Sequence, residues 1–138
     1  MKNLNLLSIS FLLIILISCD PADQTGQDQT ITASQLAGNW TCYEKSDLNG
    51  NSTFPVKLFV DSLSTGGMII DNLYHSGVGE TVEITISKNS INIPHQEFCD
   101  NLFTVYGNGS VINEKSVELI FYVNTGSDLD TVNATLTR

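Results

Sequence analysis

Val82-Glu83-Ile84-Thr85-Ile86, followed by Lys88-Asn89-Ser90 and Ile91-Asn92-Ile93, is the stretch that decides the fold. Apolar and polar residues alternate in the outer two segments, and the middle segment holds residues that favour turns. A period of two puts every apolar side chain on one face of a β-strand. The stretch therefore predicts a β-hairpin, whose second strand ends at Pro94.

The same alternation continues on both sides of this hairpin from Gly38 to the end of the chain, in segments separated by Gly, Asn, Asp and Ser. Loops this short join antiparallel strands, because a parallel pair needs a crossover of about a dozen residues or more. One helical turn is predicted at Ala33–Ala37, with Ser34 as its cap. The pattern predicts eight strands, near 39–46, 55–62, 67–73, 80–87, 90–94, 101–107, 115–124 and 129–137.

We predict an all-β domain in which these strands form an up-and-down meander closed into a small barrel, since closure removes exposed sheet edges. The inward residues are mostly bulky, which favours a filled core over a ligand cavity. The predicted inward set is Trp40, Val56, Leu58, Val60, Met68, Ile70, Val82, Ile84, Ile86, Ile91, Ile93, Phe103, Val105, Val117, Leu119, Phe121, Val132, Ala134 and Leu136.

The N-terminus has the pattern of an export signal that ends in a lipidated cysteine. Lys2 precedes an apolar run at 4–17, and small Ser18 stands directly before Cys19. The run is short for a bilayer span, and acidic residues and a proline follow it. We predict a lipoprotein signal peptide at 1–18, cleavage before Cys19, acylation of Cys19, a flexible tether at 19–32 and one globular domain at 33–138. An ordinary secretory signal and a membrane-spanning helix are the alternatives.

The charge of the chain excludes some partners. Removing residues 1–18 takes away one lysine and no acid, so 5 basic residues face 15 acidic ones and the formal charge is −10. Such an excess repels nucleic acids and anionic lipid surfaces, so we expect no nucleic-acid partner and a membrane contact through the acyl chains of Cys19 alone. The predicted location is the bacterial cell envelope, on the outer membrane rather than the inner one, although Asp20 signals inner-membrane retention in some bacteria.

The globular part resembles small lipocalin-like lipoproteins of Gram-negative bacteria. Gly38-Asn39-Trp40, at the start of the first strand, is similar to the Gly-x-Trp signature of that family. Further likeness lies in the Ile93-Pro94-His95-Gln96 step, a Gly-x-Gly turn at Gly107-Asn108-Gly109, and the last strand at Asp130–Leu136. The resemblance implies a calycin-type barrel, a binding role, and Trp40 as the residue that packs across the closed end.

These observations lead to a membrane-anchored lipoprotein with a non-enzymatic binding or accessory role in the envelope. Trp40-Thr41-Cys42 and the Ser76-Gly77 loop are also similar to segments of the membrane-bound lysozyme inhibitors of the C-type. A periplasmic or surface inhibitor of a hydrolase is therefore one alternative, and a carrier of a small apolar ligand is another.

Two cysteines remain once Cys19 is acylated. Export places Cys42 and Cys99 in an oxidising compartment, where a disulfide forms readily. In the predicted meander, however, Cys42 follows the closed-end Trp40, and Cys99 lies near the opposite rim, beyond the roughly 7 Å that a bridge allows. The sequence leaves both a disulfide and two free thiols open.

The sequence contains none of the common catalytic or metal-binding motifs. The chain has no Gly-x-Ser-x-Gly elbow, no His-Glu-x-x-His motif and no phosphate-binding glycine loop. His75 and His95 are not spaced like a zinc pair, and the oxygen-bearing turn at 124–130 lacks the pattern of a calcium loop. We expect neither an enzyme nor a metal or other cofactor.

Four apolar residues fall on outward positions of the predicted strands: Tyr43, Phe59, Ile120 and Tyr122. Aromatic clusters on an acidic surface are typical of protein contact sites, whereas single exposed aromatics are common in strands. If the first strand lies between the second and the last, Tyr43 and Phe59 are neighbours on the outer wall. These four residues are the predicted partner patch.

Overall fold

A computed structural model describes residues 30–138, which form an eight-stranded antiparallel barrel in meander order. Each strand pairs with the next along the chain, and the last pairs with the first, so the predicted closed all-β fold is confirmed. A 3₁₀ turn at Leu73–His75 lies between β3 and β4. The elements are α1 (Ala33–Leu36), β1 (Gly38–Ser46), β2 (Gly50–Val60), β3 (Gly67–Asp71), β4 (Thr81–Ser87), β5 (Ser90–Phe98), β6 (Phe103–Asn113), β7 (Ser116–Asn124) and β8 (Leu129–Thr137).

The predicted signal peptide, Cys19 and most of the predicted tether lie outside the described residues. Ile31, which the sequence division assigns to the tether, is buried against the barrel, and its backbone N–H donates to the side-chain oxygen of Asn89 at 2.8 Å. Within residues 30–138, no helix has the length and apolar character needed to cross a membrane.

The base of the barrel is the end that carries α1. Thr32, not Ser34, is the N-cap of α1: its backbone N–H donates to the side-chain oxygen of Gln35 at 2.9 Å. Trp40 lies under this turn, 3% exposed, and its indole N–H donates to the carbonyl oxygen of Leu36 at 2.8 Å. The guanidinium of Arg138 lies 4.5 Å from the centre of the Trp40 ring and donates to the Gln35 and Ala37 carbonyl oxygens. These contacts seal the base.

The predicted inward residues face the core, with one exception. Val60, the last residue of β2, is 44% exposed because its strand extends past the base of the barrel, where β1 has already begun at Gly38 opposite Leu58. Ile86 and Phe103 are partly buried, and the other predicted inward residues are buried. Phe121, Met68 and Leu36 are among the largest side chains with almost no exposed area.

Two predicted strand boundaries are wrong for physical reasons. Pro94 does not end β5, because the ladder to β6 shifts register between Ile93 and Gln96, and a bulge tolerates a residue without an N–H. The predicted turn at Gly107-Asn108-Gly109 lies inside β6.

Gly107 and Gly109 face the core opposite Phe121 and Leu119 of β7. A Cβ atom at Gly107 would lie 2.4 Å from the carbonyl oxygen of Ile120 and 2.6 Å from the Cα of Phe121. A Cβ at Gly109 would lie 2.2 Å from the carbonyl oxygen of Glu118. The two glycines therefore allow the close approach of β6 and β7, and the Gly-x-Gly sequence is a packing feature.

We predict that Gly107→Ala lowers the free energy of unfolding by about 1–3 kcal/mol, because the added methyl group must displace the backbone of β7. Asn108→Ala, at the exposed position between the two glycines, is the matched control and should change stability by less than about 0.5 kcal/mol. Urea unfolding followed by circular dichroism measures both. Equal stability of the two variants would contradict the packing role.

Candidate functional site

The mouth of the barrel, opposite the base, carries the turns after β1, β3, β5 and β7, and it encloses a cluster of polar side chains. Glu44 and Ser46 on β1 face inward and are 5% and 7% exposed, and Asp130 on β8 is 0% exposed. Trp40 and Cys42 precede them on the same inward face of β1. Buried carboxyl groups are costly unless they are neutral or well bonded, so their partners decide the chemistry of the mouth.

Tyr74, from the loop between β3 and β4, joins the two carboxyl groups. Its backbone N–H donates to Oε1 of Glu44 at 3.0 Å, and its hydroxyl donates to Oδ2 of Asp130 at 2.8 Å. Ser46 Oγ donates to the same Asp130 oxygen at 2.5 Å, and Asn49 Nδ2 donates to the Tyr74 hydroxyl oxygen at 2.6 Å. Tyr74 is thus the central member of the mouth cluster, which we define as Glu44, Ser46, Asn49, Tyr74 and Asp130.

The ring of Tyr74 covers the apolar interior. It packs edge-on against Phe103 and Phe121, with ring centres 6.4 Å and 6.5 Å away. On the next residue, the ring of His75 stacks on Phe54 at 4.8 Å. The cluster and these aromatic contacts together close the mouth.

The backbone of this covering loop is strained. Asn72, Tyr74 and His75 have φ values of 69°, 62° and 53°, in the left-handed region. For a residue with a side chain, this conformation costs on the order of 1 kcal/mol, and asparagine tolerates it better than tyrosine does. The hydrogen bonds from Tyr74 and the stacking of His75 hold a conformation that the loop would not adopt alone.

Burial raises the pKa of Glu44 from its ordinary value of 4.5 to about 7. The hydrogen bond from the Tyr74 backbone opposes this increase, and the charge of Asp130 adds to it. Burial also acts to raise the pKa of Asp130, but hydrogen bonds from Ser46, Tyr74 and the Leu48 backbone outweigh it, so the pKa of Asp130 is lowered. At neutral pH Asp130 is ionised, whereas Glu44 is close to its midpoint.

Two carboxyl groups with pKa values driven apart are the arrangement that general acid–base catalysis uses. Here, however, the carboxyl oxygens of both residues accept hydrogen bonds from other groups of the protein. Asp130 accepts hydrogen bonds from Ser46, Tyr74 and the Leu48 backbone, and Glu44 accepts one from the Tyr74 backbone. The cluster holds the mouth together in the described conformation.

Cys42 and Cys99 are both free thiols in the structure, and no disulfide joins them. Cys42 points into the barrel in the middle of β1, and its Sγ lies 3.9 Å from Oε1 of Glu44. Burial raises the pKa of Cys42 above its ordinary value, and the charge of Glu44 adds to the effect. Cys99 lies in the turn after β5, where its N–H donates to Oε2 of Glu80 at 3.0 Å, and burial raises its pKa too. The Cys42 thiol therefore lies in the barrel interior, and the Cys99 thiol lies on the rim of the mouth.

A groove of about 560 Å³ crosses the outer wall over β2, β1, β8 and β7. Tyr43 and Ile120, 50% and 45% exposed, stand within it on either side of β8. Asn133 and Thr135 of β8 form its floor between them, since Tyr43 pairs with Thr135 and Ile120 with Asn133. Lys45 and Glu118 also line it. We name this feature the outer groove.

The structure separates the remaining residues of the predicted partner patch from the outer groove. Tyr43 pairs with Thr53, six residues before Phe59 on β2, so at roughly 3.4 Å per residue Tyr43 and Phe59 are about 20 Å apart and are not neighbours. Phe59 instead lies under the ammonium group of Lys57, 4.6 Å from its ring centre. Tyr122 is half-buried by stacking on Tyr106 at 5.1 Å.

Among residues 30–138, no group of three or more His, Cys, Asp or Glu side chains is arranged to hold a metal ion. His95 stacks on Tyr106 at 5.7 Å, and His75 lies at the mouth. Ser76 and Gly77 belong to the loop that covers the mouth, and the following Val78 is 89% exposed.

Sequence reasoning missed the mouth cluster, although one signal for it was present. Glu44 and Ser46 share the alternation of Trp40, and Asp130 shares that of Val132, so the period of two alone places three polar side chains inside the barrel. What the sequence does not show is that Tyr74, more than fifty residues from Asp130, folds back over them.

Comparisons with known proteins support the fold class and nothing finer. No family model matches the chain, and no curated protein matches it. Two of the similar solved structures are described as redesigned beta barrels, which agrees with the architecture of this chain.

Among them is "a redesigned beta barrel, b11L5F_LGL", at 15% identity and a TM-score of 0.56, covering 78% of this chain and 94% of the design. "EF1p2_mFAP2b bound to DFHBI" has 13% identity and a TM-score of 0.57, covering 78% and 96%. "A redesigned beta barrel, mFAP0, bound to DFHBI" has 14% identity and a TM-score of 0.54, covering 75% and 99%. At such identities the likeness concerns the fold alone.

The raised pKa of Glu44 predicts a pH-dependent stability. The folded chain binds this proton more tightly than the unfolded chain does, so the stabilisation is complete below about pH 4.5 and is lost as the pH rises through 7. The loss amounts to up to about 3 kcal/mol.

Urea unfolding at pH 4.5, 5.5, 6.5 and 7.5 should show this fall in the wild type and not in Glu44→Gln. Glu97→Gln, which removes an exposed carboxylate, is the control and should follow the wild type. Parallel curves for the wild type and Glu44→Gln would contradict the assignment.

Proposed function

We propose that the chain is a lipid-anchored, non-enzymatic binding or accessory module of the bacterial cell envelope, held by acylated Cys19. The support for the anchor is the sequence before the barrel: a basic residue, an apolar run and Ser18-Cys19. A diacyl or triacyl cysteine holds a protein at a membrane firmly, whereas one chain binds it reversibly. The short polar stretch after Cys19 leaves the barrel close to the bilayer surface.

The observation that carries the binding role is the outer groove. Tyr43 and Ile120 expose apolar surface on either side of the polar residues Asn133 and Thr135, so the groove offers apolar anchors together with hydrogen-bonding groups, and protein contact sites use both. The interior gives no comparable surface, because the base is sealed at Trp40 and the mouth is covered by Tyr74.

The partner that fits the outer groove is a basic protein with an extended segment carrying an apolar side chain. The formal charge of −10 on the processed chain attracts a cationic partner over distances of about a Debye length, and an apolar anchor between Tyr43 and Ile120 would fix it in place. Such a partner should therefore bind more weakly at high salt.

The anchor predicts that cells expressing the chain incorporate labelled palmitate into it and that Cys19→Ala abolishes the label. Cys99→Ala, which removes a cysteine from the rim of the barrel, is the matched control and should keep the label. Fractionation of the same cells should find the wild-type chain in the membrane pellet. Label retained by Cys19→Ala would contradict the proposal.

The outer groove predicts a position-dependent cross-link. A photoreactive phenylalanine analogue at position 120 should give a discrete protein adduct in intact cells, and the same analogue at position 78, on the exposed mouth loop, should not. Tyr43→Glu should remove the adduct, and 0.5 M salt should weaken it. Equal adducts at both positions, or none at position 120, would show that this groove is not the contact surface.

A further inference from the structure

The loop over the mouth is a short segment held at a few points, which we name the latch and define as Asn72–Gly77. Its two ends are tied together by Asn72, whose side-chain oxygen accepts the N–H of Gly77 at 2.8 Å. The side-chain amide of Asn72 donates to the carbonyl oxygen of Pro55 at 2.7 Å, which fixes the base of the loop to β2. Tyr74, in the middle of the latch, then makes the hydrogen bonds that reach the barrel interior.

Those hydrogen bonds end on two carboxyl groups whose surroundings favour opposite charge states. The N–H of Tyr74 favours the ionised form of Glu44, but burial outweighs it. Asp130 accepts hydrogen bonds from four donors, the side chains of Ser46, Asn49 and Tyr74 and the backbone of Leu48, which suits an ionised carboxylate. Glu44 has fewer donors: its Oε1 accepts the Tyr74 N–H at 3.0 Å and faces the Cys42 thiol at 3.9 Å. A buried carboxyl with so few donors is stable when neutral, and its ionised form requires water.

We propose that the latch is a pH-controlled cover of the barrel mouth, held closed while Glu44 is neutral and Asp130 is ionised, and released when Glu44 ionises. Release of Tyr74 lets water reach Glu44 and exposes the edges of Phe103 and Phe121 beneath it. It also relieves the left-handed conformations of Tyr74 and His75. This device is separate from the outer groove and does not depend on any partner bound there.

The direction of the response follows from the two pKa values. Burial holds the pKa of Glu44 at about 7 in the closed state against an ordinary 4.5, so closure weakens as the pH rises from 4.5 through 7. Hydrogen bonds lower the pKa of Asp130 below its ordinary 3.8 despite its burial, so its hold on Tyr74 weakens as the pH falls below about 4. The latch is therefore closed most firmly near pH 4 to 4.5, and closure weakens progressively above that range.

The two titratable side chains nearest Glu44 on its own strand and in the latch, Cys42 and Tyr74, do not change charge in this range. Cys42 has a pKa raised above 9.0 by burial, and burial raises the pKa of Tyr74 to about 12. The paired inward positions on β2 and β8 are Ser52 and Ala134, and behind them β7 contributes Leu119 and Phe121. His75, stacked on Phe54 within the latch, is the imidazole beside the site, and the experiment must separate it from Glu44.

Amide hydrogen exchange of the ¹⁵N-labelled full chain, between pH 4.5 and 8, measures opening directly. After correction for the intrinsic exchange rate, the protection of the Tyr74 and Gly77 amides should fall roughly 100-fold or more from pH 4.5 to 7 and then level off. The protection of the Ile84 amide, in the core part of β4, should not fall over the same pH range. A parallel loss at Ile84 would indicate global unfolding and would overturn the proposal.

Three variants test which side chain controls the pH response of the latch. Glu44→Gln should give latch protection that does not change with pH, and His75→Phe, which keeps an aromatic ring on Phe54, should leave the wild-type profile intact. Tyr74→Phe removes the hydroxyl bonded to Asp130, so it should lower protection at every pH and retain the slope that Glu44 imposes. A pH response that disappears in His75→Phe, or persists in Glu44→Gln, would overturn the assignment. If Glu44→Gln does not fold, the ¹³C chemical shift of the Glu44 carboxyl in the wild type gives the same test, and a midpoint near 4.5 would contradict it.

Discussion

The ladder between β1 and β8 is the constraint on which the rest of the structure depends. Thr41–Ser46 pairs with Val132–Thr137, and this register places Glu44 opposite Ala134 and Ser46 opposite Val132. Without it, β1 and β8 would be exposed sheet edges, and the inward face of β1 would lose its cover. The same pairing brings Ser46 next to Asp130 and sets Tyr43 and Ile120 on either side of one strand. The core, the mouth cluster and the outer groove thus all include residues that this ladder positions.

The two ends of the barrel are closed by different physics. At the base, an indole N–H, a helical turn and a guanidinium over the Trp40 ring form a seal that no titration in the physiological range would open. At the mouth, a strained loop depends on hydrogen bonds to two carboxyl groups, one of which has a pKa of about 7. The two ends of this small barrel therefore differ in local stability, and the mouth is the end that a change of pH can open.

The period of two in the sequence was sufficient to predict the number and order of the strands, because a half-buried strand must alternate. Closure was predicted from a separate argument, the removal of exposed sheet edges. The period of two failed where tertiary contacts override local signals. Pro94 lies in a bulge, Gly107 serves close packing instead of a turn, and Val60 extends past the end of its neighbour. The expected contact between Tyr43 and Phe59 is absent, since facing outward does not fix register, and register separates the two residues. The hydrogen bond from Tyr74 to Asp130 depends on a left-handed loop conformation, which no residue pattern in the sequence predicts.

The central claim is closure of the barrel through β1 and β8, and it can be tested by nuclear Overhauser effects between the two strands in solution. The account predicts a continuous set of cross-strand contacts from Thr41–Thr137 to Ser46–Val132, with slow amide exchange along both strands. Absence of these contacts, together with rapid exchange along β1, would show an open sheet and would contradict the account at its base.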